Sequence, residues 1–126
     1  LLYVIPQVDA SVRIYVSTVL GSESLEKLEC GHQQEALVKI RQELENFAKT
    51  ELAEYPDDIQ RFAGVDVRLG NPVEQILAAA EQFSADVIVM GTHCKGGLEH
   101  SFFGSVAEKV LHKAGRPIFL IPLRKV

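Results

Sequence analysis

The sequence predicts an α/β fold, a parallel sheet covered by helices, and three observations carry that expectation. From residue 65 onward, apolar alternation and helical periodicity take turns as strand, helix, strand, helix, strand. The run Val87-Ile88-Val89-Met90 is short, apolar and largely β-branched, the composition of a strand buried on both faces. Two helix-start signals follow strand-like runs, at Asn71-Pro72-Val73-Glu74 and at Ser105-Val106-Ala107-Glu108.

Taken in order, Leu1-Leu2-Tyr3-Val4-Ile5 is an apolar strand-like run that starts without an initiator Met. In residues 7–31, Val12, Ile14 and Val16 alternate but Gly21-Ser22-Glu23-Ser24 reads as loop, so the stretch is expected to be a long excursion over the surface. Ala36, Leu37, Ile40, Leu44, Phe47 and Ala48 recur at helical spacing and predict one amphipathic helix over 32–54. Asp57-Asp58 after Pro56 most simply serves a turn.

Val65–Leu69 alternates like a strand, and Gly70-Asn71-Pro72 turns out of it. Asn71 is the expected N-cap, with Pro72 at the first helical position and Glu74 closing a capping box. Val73, Ile76, Leu77, Ala80 and Phe83 form the apolar stripe of that helix. Gly91 to Gly104 reads as a loop, and Ser105 with Glu108 as a second capping box. Val106, Val110 and Leu111 make the inner stripe of the helix that follows. His112 and Lys113 suit its negative end, and Gly115 is its expected C′ stop. Pro117 and Pro122 bracket the last strand, Ile118–Ile121, as suits a short or edge strand. No repeat, low-complexity tract or linker interrupts the pattern, so residues 1–126 read as one domain.

Composition narrows the function classes. A chain of 126 residues, 47% apolar and 24% charged, is ordinary globular material. A net charge of −4 argues against a nucleic-acid surface and gives no polybasic face for a membrane. No apolar run approaches the length of a membrane span, and no signal peptide is legible. Two cysteines outside any C-x-x-C pair give no disulfide framework and favour a reducing, cytoplasmic setting.

In open parallel sheets, ligands bind beyond the C-terminal ends of the strands. The segment after Met90 occupies that place: Gly91-Thr92-His93-Cys94-Lys95-Gly96-Gly97-Leu98, then on to Gly104-Ser105-Val106. Glycines allow close backbone approach, and a helix opening at Ser105 offers unpaired N–H groups and a positive dipole end. Together with the Ser105 hydroxyl these make an anion site. The plainer alternative is that Gly91 is a strand exit and Gly104-Ser105 a cap. Lys95 either reaches phosphates as a point charge or is a solvated loop lysine. His93 and Cys94, with Cys30 and His32, match no zinc spacing. No G-K-[ST] run supports a Walker-type NTPase.

These residues resemble the universal stress protein family. That family carries a glycine, two residues, a second glycine, nine residues, then a glycine followed by Ser or Thr, and Gly91 and Gly104-Ser105 fit this spacing. Val87-Ile88-Val89-Met90-Gly91-Thr92-His93, Gly104-Ser105-Val106-Ala107-Glu108-Lys109-Val110 and Arg116-Pro117-Ile118 are also similar to it. Leu1–Pro6 resembles the family's second strand. The resemblance implies a doubly wound, open five-stranded parallel sheet with helices on both faces, of the adenine nucleotide α-hydrolase-like type. It implies binding of ATP, or of AMP or ADP, possible with Mg, and at most weak hydrolysis. Gly91, Gly104, Ser105 and Val106 would meet ribose and phosphates; Val4 and Met90 would border the adenine; His93, Cys94 and Lys95 complete the expected binding segment. Two copies would pair through the last strand, Ile118–Ile121, which would otherwise be an exposed apolar edge.

The sequence departs from the family in two ways. Cys94 stands in place of the second motif glycine, and a non-glycine residue costs on the order of 1 kcal/mol if positive φ is required there. Some family members have lost the motif and bind no nucleotide. The alternative reading is therefore a homodimeric stress or scaffold domain with a decayed site, and a third is a redox sensor using Cys94. The family's first strand and helix also precede the segment matched by Leu1–Val4. Because a sheet without its central strand leaves backbone groups unpaired, a βα unit of roughly 30–40 residues is expected before Leu1 in the natural protein.

Overall fold

The computed structural model describes residues 1–7, 18–19, 22–93 and 104–123, and for residues 22–32, 93 and 123 the backbone alone. The chain divides into two compact units, Leu1–Leu69 and Gly70–Val126. In chain order the elements are β1 (Leu2–Pro6), α1 (Ser22–Leu52), α2 (Pro56–Ile59), β2 (Asp66–Gly70), α3 (Pro72–Gln82), β3 (Ile88–His93), α4 (Ser105–Lys113) and β4 (Ile118–Leu123). The chain is an α/β protein, as the alternation predicts. The described strands form two two-stranded sheets, β1 with β2 and β3 with β4, where the resemblance implied five strands in one sheet.

In the first unit, the Asp66 amide donates to the Leu1 carbonyl at 2.8 Å where β1 and β2 meet. Helix α1 corrects the expected boundaries: it starts at Ser22 rather than near 32 and runs for 31 residues. Ser22-Glu23-Ser24 therefore begins a helix rather than a loop excursion. Glu23, Leu25, Glu26, Lys27, Leu28 and Glu29 are mostly strong helix formers by residue type. The alternating run Val12, Ile14, Val16 lies outside the described residues. Of the expected stripe, Ala48 is buried and Ala36, Leu37, Ile40 and Leu44 are half-buried, but Phe47 is exposed. Asp57 and Asp58 sit in the first turn of the four-residue helix α2, which Pro56 opens.

The second unit begins at Gly70, the last residue of β2, whose φ of +136° is open to glycine and strained for other residues. Asn71 then caps α3 as predicted: its side-chain oxygen accepts from the amides of Val73 at 3.0 Å and Glu74 at 3.3 Å. The helix ends in a Schellman arrangement. The Ala85 amide donates to the Ala80 carbonyl and the Ser84 amide to the Glu81 carbonyl, with Ser84 left-handed at φ 49°. Val73, Ala79 and Ala80 are buried, whereas Phe83 lies past the last helical residue and is exposed.

Strands β3 and β4 run parallel, with Ile88 opposite Ile118 and His93 opposite Leu123. Val89 and Phe119 face each other in register and are 59% and 63% exposed, so this strand is not buried on both faces as its composition predicted. β4 continues through Pro122 to Leu123 instead of stopping at Ile121. Helix α4 packs against α3 and centres on Ala107 and the fully buried Val110, while Leu111 turns out to solvent. It carries His112 and Lys113 in its last turn, where the dipole favours cations. It stops because Ala114 turns extended (φ −75°, ψ 124°), so Gly115 supplies no left-handed cap.

Candidate functional site

β3 delivers Met90, Gly91, Thr92 and His93 to its C-terminal end. There Met90 stands opposite Leu120, Gly91 opposite Ile121 and Thr92 opposite Pro122. Gly91 and His93 are thus strand residues and not the start of the loop, because they pair in register with Ile121 and Leu123 of β4. Met90 is half-buried and Gly91 exposed. Cys94 and Lys95 lie outside the described residues, as does the His93 side chain. Val4 is half-buried on β1, in the first unit. The second unit holds Met90, Gly91 and His93 on one strand and Gly104, Ser105 and Val106 at one helix end.

The helix end differs from the expected capping box. Gly104, extended at φ −64° and ψ 151°, is the N-cap, and among the described residues no side chain caps the helix. Ser105 is the first helical residue and exposed. The reason is local: the Glu108 amide, which a Ser105 cap would need, already donates to the Gly104 carbonyl at 3.0 Å. The amides of Ser105, Val106 and Ala107 therefore have no capping side chain among the described residues and mark the positive end of the dipole.

No described residue demands a glycine at 104. Its φ is ordinary, and a Cβ added there would meet nothing within 4 Å among the described residues. A helix end that no described side chain caps is chemically suited to an anion that hydrogen-bonds to backbone amides. Sequence reasoning passed over Thr92, a buried polar residue at the end of β3; its signal was a hydroxyl residue directly after the strand glycine. Among the described residues, no group of His, Cys, Asp or Glu could hold a metal ion. The side chains of Cys30 and His32 are outside that set. A groove of about 340 Å³ lined by Gln34, Glu35, Val38, Lys39 and Gln42 lies along α1 alone and converges on no chemistry. No helix among the described residues is long and apolar enough to cross a membrane.

Parallel strands alternating with helices place the second unit among α/β domains, a class whose ligands commonly bind beyond the C-terminal ends of the strands. The chain belongs to the universal stress protein family, whose sequence profile matches residues 1–122. It is 31% identical over 121 residues to universal stress protein MJ0577 of Methanocaldococcus jannaschii, covering 96% of this chain and 74% of that protein. It is 33% identical over 122 residues to universal stress protein MJ0531 of the same organism, covering 94% of this chain and 63% of that protein. The solved structure of MJ0577 superposes with a TM-score of 0.65 at 26% identity, over 99% of this chain and 75% of that one.

Proposed function

We propose that this chain is an adenine-nucleotide-binding module of stress response or signalling. It takes ATP, AMP or ADP, with Mg where the phosphates require it, at the end of β3 and the start of α4. The observation that carries the reading is the N-terminus of α4, which no described side chain caps, with a glycine at its rim whose φ is ordinary and whose added Cβ would meet no described atom within 4 Å. Membership of the universal stress protein family supports it, since the resemblance read from residues 87–118 implies adenine nucleotide binding. Backbone amides of Ser105, Val106 and Ala107 would hold phosphate, Gly91 would let ribose approach β3, and Met90 would border the base. Cys94 and Lys95 belong to the same segment by sequence. The module works as a cytoplasmic homodimer joined through β4, with hydrolysis weak or absent.

The second reading rests on Cys94 in place of the motif glycine: a homodimeric scaffold domain that no longer binds nucleotide. Thermal unfolding with and without millimolar Mg-ATP separates the two. Saturation at one hundred times Kd stabilises a folded protein by about 2.7 kcal/mol, so the first reading expects a clear rise in midpoint. An unchanged midpoint at millimolar ATP, ADP and AMP overturns nucleotide binding and leaves the scaffold.

A further inference from the structure

We draw no further inference here: the strongest candidate, the exposed apolar face of the β3–β4 sheet around Val89, Phe119 and Ile121, carries nothing because nothing in the structure shows what covers it.

Discussion

The Arg116 guanidinium donates from Nη1 to the Ala80 carbonyl at 2.7 Å, thirty-six residues back along the chain. The same nitrogen donates to the Ala85 carbonyl at 2.6 Å, and Nη2 pairs with Glu81. One side chain from the α4–β4 turn therefore satisfies the end of α3 and the entry to β3, and places a cation at the negative end of α3.

Arg116→Ala is expected to lower stability by about 2–4 kcal/mol, because charged hydrogen bonds to two backbone carbonyls are lost together. Glu81→Ala should cost under about 1 kcal/mol, since the Glu81 side chain is 80% exposed and its ion pair is screened. Urea unfolding of the two variants measures both. Equal losses would place the stabilisation in the ion pair and not in the carbonyl bonds.

Ser84→Gly is expected to raise stability by about 1 kcal/mol. The Schellman turn holds Ser84 at φ 49°, a conformation that a Cβ opposes and glycine accepts freely. Ser84→Ala keeps the Cβ and should give no gain. A stabilisation by Ala as large as that by Gly would mean that the left-handed backbone is not the cause.

How far the sequence is legible follows from range. The Asn71 cap was readable because donor and acceptors lie within three residues of one another. The Ser105–Glu108 box looked the same in sequence and failed, because the Gly104 carbonyl had already taken the Glu108 amide. The far end of β3 was illegible: residues 91–93 are strand only through partners at 121–123. The role of Arg116 is not legible in the sequence, because its acceptors lie 31 and 36 residues away. Exposure of Val89 and Phe119 likewise depends on what packs over the sheet, which periodicity does not encode.

If two copies pair through β4, Leu120→Pro should make the protein monomeric. The Ile88 amide donates to the Pro117 carbonyl in a register that sets Ile88 opposite Ile118. Residues 117, 119 and 121 therefore turn their backbone groups toward β3, and residues 118, 120 and 122 turn theirs to the outer edge. Pro122 offers no donor there, so Ile118 and Leu120 carry the outward N–H groups of this strand. Proline at 120 removes one of them and spares the β3 ladder, as edge strands tolerate. Sedimentation at matched concentrations should show wild-type dimer and variant monomer with unchanged circular dichroism. A variant that stays dimeric puts the interface elsewhere.

Two substitutions on either side of the loop should move nucleotide affinity in opposite directions. Gly104→Ala adds a Cβ at an ordinary φ into space empty of described atoms. It should cost the fold under about 1 kcal/mol, the usual penalty at an N-cap. That Cβ would stand on the rim where phosphate approaches the α4 amides, so ATP affinity should fall by an order of magnitude or more. Cys94→Gly restores the motif glycine; if positive φ at this position opposes binding by about 1.4 kcal/mol, affinity should rise about tenfold. Cys94→Ala separates backbone from thiol, because alanine removes the sulfur but keeps the Cβ that positive φ disfavours. Calorimetric titration of Mg-ATP into all four proteins reads the result. A gain in Cys94→Gly without one in Cys94→Ala assigns the obstruction to the backbone, and equal gains assign it to the thiol. If Gly104→Ala binds as tightly as wild type, the α4 N-terminus is not the phosphate site, whatever the cysteine variants do.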